Sequence, residues 1–297
     1  MRVLVAGCGY VGLSLGADLV KRGHHVDGIT RTGERRVGIE KAGICPLIAN
    51  IIQPEDLDAI EAKYDWVVNC VASSGGTAAD YEQLYLRGTR NLVDWLTPTP
   101  PKKFVYTSST SVYGQTNGSL VDENSRTEPE AETSRILGQT ELLLQNAWRK
   151  HRFPAVILRV AGIYGPGRGF WFKQFVRGEA RVDASGDRWL NMIHRDDLIP
   201  IIMMALEKGK QGEIYNCVDN EPVRQREFFQ WLAKELGRPI PRSGETPQSP
   251  ERKRGAANKR VSNEKLRNSL GYNFLYPTFR EGYREEIEAI KASSPRA

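Results

Sequence analysis

The sequence has few cysteines and lacks any apolar run long enough to span a bilayer. Cys8, Cys45, Cys70 and Cys217 stand singly among 297 residues, without a C-x-x-C pair or a metal-like cluster. We therefore expect buried thiols in a reducing compartment and no metal site. The longest later apolar run covers only residues 198–206. The N-terminal apolar residues are interrupted by glycines and Asp18, unlike a signal peptide, so we expect a cytoplasmic protein.

A strong excess of charge is also lacking, because the net charge is only +6. The basic residues are interleaved with Glu and lack the aromatic pattern of a nucleic-acid reader. We expect a small-molecule substrate as partner, with no nucleic acid and no membrane, and leave a homodimer open. The basic excess over residues 224–260 fits a phosphate or carboxylate on the substrate, or else a solvated face.

What is present is a glycine motif at the start of the chain. The apolar run 2–6 leads into Gly7, Gly9 and Gly12, spaced G-x-G-x-x-G, and an amphipathic stretch follows at once. The first glycine permits a tight turn, the second lets backbone approach a pyrophosphate, and the third lets the helix pack close to the strand. The helix N-terminus then binds the phosphates. We predict a dinucleotide site here that also includes Tyr10 and Val11.

The end of the second predicted strand indicates which dinucleotide binds. Thr30 and Arg31 lie about 20 residues past the turn, where NAD enzymes usually place a carboxylate against the ribose hydroxyls. Arg31 instead offers a planar fork to a 2′-phosphate, and Arg35 and Arg36 follow closely. We predict NADP(H) as cofactor in preference to NAD(H). The alternative is an exposed basic loop without selectivity.

Strand and helix signals alternate through the first half of the chain. This pattern predicts an α/β fold, a doubly wound parallel Rossmann sheet with its ligand crevice at the strand carboxyl ends. Residues 1–161 are expected to form the NADP-binding domain, and residues 162–297 mainly a smaller α/β substrate lobe, with some segments returning to the Rossmann domain.

Residues 239–259 are expected to form a mobile surface loop. Strands are predicted over 2–6, 25–29, 45–49, 66–72, 104–108, 155–160 and 213–218, and helices over 11–21, 54–63, 79–96 and 132–150.

Several segments, in order, resemble the extended short-chain dehydrogenase/reductase family of nucleotide-sugar epimerases and dehydratases. They are the glycine motif through Arg31, followed by 67–72, 107–114, 158–167, 193–197 and 214–216. The resemblance implies that Ser109 is the catalytic hydroxyl that binds the reacting oxygen, although a strand-end serine can also merely cap the next turn. It further implies cofactor contacts from Asn50, Val71, Ala72 and Ser73.

The sequence departs from this family at its catalytic Tyr-x-x-x-Lys pair. The two positions fall on Thr133 and Leu137, so both groups are missing, as in an atypical bacterial subgroup of the family. The pair normally lies on one helix face, where the lysine charge lowers the tyrosine pKa and permits proton transfer. We consider Tyr113, Tyr164 and His194 as replacements. In the family these usually pack near the nucleotide site, line the cofactor pocket and form structural hydrogen bonds, respectively.

A second departure concerns the substrate. Family members that bind a nucleoside diphosphate often carry an arginine four residues before the histidine equivalent to His194, and here that residue is Leu190, with Arg188 two residues earlier. We therefore predict an NADP(H)-dependent oxidoreductase or epimerase-like enzyme with a non-standard active site. Its substrate would be small and polar, sugar-like or anionic. The alternative is a catalytically silent NADP(H)-binding regulatory or partner protein.

Overall fold

Parallel strands form the centre of the structure, a computed structural model that describes residues 1–73, 76–183, 187–244 and 257–293. Seven strands in these ranges form one sheet, in which every neighbouring pair is parallel. With the strands numbered along the chain, from β1 (Arg2–Ala6) to β11 (Ile214–Cys217), their order across the sheet is β3-β2-β1-β4-β5-β7-β11. The order reverses between β1 and β4, which places the ligand crevice at their carboxyl ends. The sheet strands are β1 (Arg2–Ala6), β2 (His25–Thr30), β3 (Cys45–Ile48), β4 (Trp66–Asn69), β5 (Lys103–Ser109), β7 (Ala155–Val160) and β11 (Ile214–Cys217).

Helices cover both faces of this sheet, as the alternation of apolar residues requires. Along β1, Val3 and Val5 enter one buried cluster, whereas Leu4 and Ala6 enter another on the opposite face. The doubly wound Rossmann fold is therefore confirmed. The helices are α1 (Gly12–Lys21), α2 (Arg36–Lys41), α3 (Pro54–Asp58), α4 (Ala78–Tyr81), α5 (Gly88–Leu96), α6 (Glu132–His151), α7 (Phe170–Val176), α8 (Arg195–Glu207), α9 (Gln225–Leu236), α10 (Glu264–Leu270), α11 (Phe279–Gly282) and α12 (Arg284–Ser293).

Two predicted helices differ from the structure, and one predicted strand has a neighbour that its sequence does not indicate. The helix expected over 54–63 ends at Asp58, because the chain turns there to enter β4. The helix expected over 79–96 is continuous but contains a π-helical stretch, Glu82–Arg87, between α4 and α5. The strand predicted over 213–218 is the edge strand β11, paired with β7, so this segment of the second half belongs to the main sheet. A short apolar run predicts a strand but does not specify its neighbour.

Short strand pairs and a third apolar cluster make up the smaller lobe. This cluster is rich in aromatic rings from α7, α9 and α11, and Tyr164 and Tyr283 are both fully buried in it. The predicted loop 239–259 lies partly outside the described residues. The short strands are β6 (Leu120–Val121), β8 (Gly162–Tyr164), β9 (Trp189–Leu190), β10 (Met192–His194), β12 (Val223–Arg224) and β13 (Arg260–Val261), paired as β6 with β13, β8 with β10 and β9 with β12.

The cysteines correct one expectation of the sequence. Cys8 and Cys217 are buried, and Cys70 is half-buried, but Cys45 is exposed. It lies at the start of β3, which forms one edge of the sheet and therefore has fewer neighbours to cover it. No helix within the described residues is both long and apolar enough to cross a membrane.

Candidate functional site: a dinucleotide cradle at the sheet switch point

The glycine motif forms a tight turn between β1 and α1. Gly7 has a positive φ of 97°, and a Cβ at this position would lie 2.7 Å from the Val71 backbone. A Cβ at Gly12 would lie 2.2 Å from the Gly7 carbonyl oxygen, so α1 can pack this closely only on glycine. Gly9 differs, because the nearest atom to a Cβ there is Arg35 Nη1 at 3.7 Å. The open space at Gly9 is where a pyrophosphate would approach the backbone.

Tyr10 and Val11 follow within the same turn. The Tyr10 hydroxyl donates to the Pro166 carbonyl at 3.2 Å, which ties the turn to the loop after β8. The guanidinium carbons of Arg168 and Arg195 lie 5.0 and 5.1 Å from the Tyr10 ring centroid. Val11 precedes α1 and makes no side-chain capping bond, so the first N–H groups of α1 are not capped by it. This is the arrangement expected for phosphate binding at a helix N-terminus.

Arginines follow the end of β2 along the chain, and neither residue 30 nor residue 31 is acidic. Thr30 is buried at the strand end, and Arg31 is exposed directly after it. Asp27, the acidic residue of β2, lies inside the strand and accepts hydrogen bonds from Arg2 and Tyr64. It is therefore not the ribose-binding acid of an NAD enzyme.

Arg35 and Arg36, which follow Arg31 along the chain, make different contacts. Arg35 Nη1 donates to the Cys8 carbonyl at 3.4 Å, so this side chain folds back over the glycine turn. Arg36 pairs with Glu40 on α2 instead. Of these two side chains, the contacts therefore place Arg35 over the glycine turn and Arg36 on α2.

The loops after β3 and β4 hold the other predicted cofactor residues. Asn50 Oδ1 accepts from the Ile52 amide at 3.4 Å, so its side chain closes a local turn. Val71 and Ala72 leave the sheet directly beyond β4, half-buried and exposed respectively, and the Ser73 amide donates to Tyr85 Oη at 3.1 Å. β4 ends at Asn69, three residues before the predicted end, which frees this segment to form a loop beside Gly7.

Ser109 lies at the carboxyl end of β5 with little exposure. Its Oγ accepts from the Ser111 amide at 3.2 Å, which caps the short 3-10 turn that follows. The preceding Ser108 donates to Glu141 Oε1 at 2.5 Å. The capping role considered for Ser109 is thus present.

Tyr113 belongs to a buried polar network. Its hydroxyl accepts from Arg159 Nη1 and donates to Asn216 Oδ1, both at 2.8 Å. Arg159 in turn forms a bidentate pair with Glu141, and both of these side chains are 5% exposed. Burial raises the pKa of Tyr113 to about 12, although the Arg159 charge opposes this. Both hydrogen-bonding roles of the hydroxyl are satisfied inside the protein, a geometry that weighs against proton transfer to a substrate.

Tyr164 and His194 also pack inside the protein. The Tyr164 ring stacks on Tyr283 with centroids 4.5 Å apart, and burial raises the Tyr164 pKa far above its ordinary value. His194 Nδ1 accepts from the Asp196 amide at 3.2 Å and so caps α8, while burial lowers the His194 pKa. The two rings meet edge to face at 5.1 Å. Their geometry agrees with the structural roles considered for them.

The two positions at which the sequence predicts loss of the catalytic pair, Thr133 and Leu137, lie on α6. Thr133 is 7% exposed and Leu137 1%, and Leu137 packs in the same apolar cluster as Ile136, Tyr81 and Tyr85. The side chain at position 137, where the family resemblance predicts the lysine, is therefore aliphatic and buried.

Sequence reasoning missed Tyr85 and Lys259. Tyr85 lies in the π-helical stretch, and its hydroxyl contacts the loop after β4. The Tyr81-x-x-x-Tyr85 spacing could have indicated it, since residues four apart share a helix face. Lys259 is buried although its segment is rich in polar residues, and no local pattern reveals this.

The chain is similar to known proteins over nearly its whole length. Protein YeeZ of Escherichia coli (strain K12) is 30% identical over 288 residues, which cover 93% of this chain and 96% of that protein. The solved structure of a functionally unknown conserved protein from Silicibacter pomeroyi DSS is 26% identical, with a TM-score of 0.77 over 99% of both chains. UDP-glucose 4-epimerase of Thermotoga maritima, solved with UDP-glucose, shares the fold at 19% identity, with a TM-score of 0.83 over 99% of both chains.

The fold and the glycine turn define an NAD(P)-binding protein of the oxidoreductase type. Residues 3–217 match the model of the NAD dependent epimerase/dehydratase family. The chain therefore belongs to that family, whose members bind NAD or NADP, and the predicted family resemblance is confirmed.

Proposed function

We propose that this protein is an NADP(H)-dependent oxidoreductase or epimerase-like enzyme with a non-standard active site. The observation that carries the cofactor preference is the end of β2, where Thr30 replaces the usual carboxylate and Arg31 is exposed. A guanidinium at this point attracts a 2′-phosphate, whereas a carboxylate would repel it. Arg35, held over the turn at Cys8, adds a second positive charge nearby.

The residues present fit a dinucleotide. Gly9 leaves the space that a pyrophosphate needs, and the uncapped start of α1 supplies N–H donors and a partial positive charge. The loop from Val71 to Ser73 would line the nicotinamide half at the carboxyl end of β4. When bound, the cofactor supplies or accepts hydride at C4 of its nicotinamide.

The chain's own contribution to chemistry would come from the end of β5. Ser109 would hold the reacting oxygen of the substrate by a hydrogen bond, exchanging or sharing the contact it makes with the Ser111 amide. Without the Tyr-x-x-x-Lys pair, proton transfer would fall to Tyr113, Tyr164 or His194. Each of these three side chains would have to break contacts inside the protein before it could exchange a proton with a substrate.

A polar substrate, sugar-like or anionic, fits the family and the basic lobe. UDP-glucose is bound by the Thermotoga maritima relative in fold. Here the position that often carries a diphosphate-binding arginine is Leu190, which is buried in the third apolar cluster. We therefore propose a substrate smaller than a full nucleotide sugar.

One observation favours the second candidate, a catalytically silent NADP(H)-binding protein. Leu137 lies at the position where the family resemblance predicts the lysine, and it packs in the core with Ile136. Aliphatic side chains would then take the place of the usual catalytic group. Such a protein would bind cofactor and respond to it without turnover.

A substrate screen separates the two candidates. Purified protein is mixed with NADPH or NADP and a panel of sugar phosphates, sugar acids and sugar nucleotides, and the nicotinamide absorbance is followed. A substrate-dependent change that disappears in Ser109→Ala supports the enzyme. An epimerase returns its hydride to the substrate and leaves no net absorbance change, so the same mixtures are also analysed by chromatography for a new product. Tight NADPH binding with neither an absorbance change nor a new product across the panel supports the silent protein. Self-association into a homodimer stays a separate prediction, which light scattering of the same sample would check.

A further inference from the structure

Arg168 is an exposed arginine whose backbone is fixed by a tight turn after β8. In this turn, which spans residues 165–168, the Arg168 amide donates to the Gly165 carbonyl at 2.8 Å, and the Gly165 amide donates to the Arg168 carbonyl at 3.0 Å. Pro166 at the second position and Gly167 at the third, with a φ of 69°, are the residues that a type II turn favours. The sequence therefore holds an exposed arginine at a defined place.

Two contacts hold this turn against the cofactor site. The Tyr10 hydroxyl donates to the Pro166 carbonyl at 3.2 Å. A Cβ at Gly165 would lie 2.9 Å from His194 Nε2 and 3.2 Å from the Tyr10 hydroxyl, so the chain packs here without room for a side chain. Because Tyr10 directly follows Gly9, the turn 165–168 lies against the glycine turn between β1 and α1.

The Arg168 guanidinium lies over the Tyr10 ring without an acidic partner. Its Cζ is 5.0 Å from the ring centroid. In the part of the chain that the structure describes, the Arg168 side chain forms neither an ion pair nor a hydrogen bond. A cation over an exposed aromatic ring is only weakly stabilised. The stacking therefore places a positive charge beside the glycine turn and leaves its N–H donors without protein acceptors there.

Arg195 lies against the same ring but is already paired. Its Cζ is 5.1 Å from the Tyr10 centroid, and its Nε donates to Asp196 Oδ1 at 2.7 Å. Burial raises the pKa of the Tyr10 hydroxyl, the two arginines oppose this, and the charges of Asp196 and Glu286 add to it. Glu286 forms no ion pair within the described ranges. Of the two arginines on this ring, Arg168 is therefore the one without a protein anion.

The adjoining turn has the features of a phosphate site. Gly9 leaves open space, and α1 begins without a side-chain cap and without an acidic residue in its first turn. Arg35 folds over this turn from the segment after β2, where it donates to the Cys8 carbonyl. Arg168 reaches the same turn from the smaller lobe, so positive side chains of two separate segments flank the space at Gly9.

We propose that Arg168 binds the pyrophosphate of the dinucleotide, so that the turn 165–168 joins the smaller lobe to the bound cofactor. A guanidinium can bind two phosphate oxygens with paired N–H donors, whereas an ammonium acts as a point charge. The inference rests on the proposed function in taking a dinucleotide as the ligand, and it adds a second segment to the cofactor site. Because NADP(H) and NAD(H) share the pyrophosphate, Arg168 should contribute equally to both, unlike Arg31.

The test is a calorimetric titration of the full chain, without substrate, by NADPH and by NADH. Arg168→Gln should weaken the binding of both cofactors by the same factor, about 10- to 100-fold, the range for losing a charge-assisted hydrogen bond. The ratio of the two affinities should keep its wild-type value, because the cofactor preference is proposed to arise at the end of β2. Arg177→Gln removes another exposed guanidinium from the smaller lobe, at the end of α7, and should bind both cofactors as the wild type does.

Arg168→Lys covers the case in which Arg168→Gln does not fold, as judged by circular dichroism. It keeps the charge but loses the planar fork, so its affinity for both cofactors should fall between those of the wild type and Arg168→Gln. Wild-type affinity for both cofactors in the folded variants, or a loss confined to NADPH, would overturn the inference. Such a result with a wild type that binds NADPH leaves the proposed function standing, whereas a wild type that binds neither cofactor overturns both.

Discussion

The Arg159 guanidinium donates to the Tyr113 hydroxyl at 2.8 Å, and this hydroxyl donates in turn to Asn216. The contact joins β7, the loop after β5 and the edge strand β11 in one buried network. The tyrosine of the family-like segment 107–114 therefore has a structural role, and loss of its hydroxyl is expected to lower the stability of the fold.

Tyr113→Phe should destabilise the fold by about 1–3 kcal/mol, because it leaves a buried amide oxygen and a guanidinium N–H without their partner. Chemical denaturation without cofactor measures this loss. Tyr276→Phe is the matched control, since its half-buried hydroxyl has no protein partner in the described residues and its ring stays on His194. Equal midpoints for Tyr113→Phe and the wild type would show that the network contributes nothing.

Substitutions at Gly9 and Gly12 should have different effects, the first on NADPH binding and the second on stability. Gly9→Val should leave the fold intact but abolish NADPH binding, because its side chain enters the open space over Cys8 and Arg35. Gly12→Ala should instead destabilise the fold, since its Cβ would lie 2.2 Å from a carbonyl oxygen. Circular dichroism and fluorescence titration separate the two effects. Gly38→Val, placed in open space on α2, should retain binding, and a folded Gly9→Val with wild-type affinity would rule out this cradle.

The buried lysine predicts a pH dependence of stability. Lys259 has a pKa of about 8 in the fold and near 10.5 when unfolded. Between these values the unfolded chain binds more protons, so the free energy of unfolding should rise with pH there, and the folded state bears the unfavourable buried charge below about 8. Other groups titrate in the same range, so the quantity to measure is the difference between wild type and Lys259→Met. A difference that stays constant across this window contradicts the prediction.

The two positions predicted to have lost the catalytic pair should contribute little to any turnover. Thr133→Ala should change any turnover found in the substrate screen only modestly, because an aliphatic hydroxyl is too weak an acid to replace a tuned tyrosine. If catalysis persists, Ser109→Ala and one of Tyr113→Phe, Tyr164→Phe or His194→Gln should lower kcat, by about 10²–10⁴ for a proton-transfer residue. Three nearly silent substitutions would favour the cofactor-binding protein. A large loss of turnover in Thr133→Ala would mean that the assignment of the catalytic positions on α6 is wrong.

The sequence predicts the sheet well and the small lobe poorly. β1 and β7 lie at the predicted bounds because apolar runs between turn signals are local patterns. β9, β12 and β13 have two residues each and exist because of partners far along the chain, which no local pattern shows. α2 was missed because it lies in a short, exposed, arginine-rich segment.

The same distinction holds for the site. The glycine turn is encoded within six residues, and the sequence therefore locates it. The surroundings of Tyr113 are not encoded in this way, since its hydroxyl meets Asn216 across 103 positions and Arg159 across 46. Whether a tyrosine faces the crevice or the core depends on such distant contacts. The same holds for Lys259, whose carbonyl accepts from Asn191 Nδ2 across 68 positions.

The most direct test of the NADP(H) assignment is a calorimetric titration of the wild type, Arg31→Asp and Arg22→Asp with NADPH and NADH. Arg22 is exposed at the end of α1 away from the cofactor turn, so its replacement controls for the change in net charge. We predict that the wild type binds NADPH more tightly and that Arg31→Asp reverses this preference, a shift of about 1–3 kcal/mol. Arg22→Asp should keep the wild-type preference. Equal affinities of the wild type for NADPH and NADH would contradict the assignment.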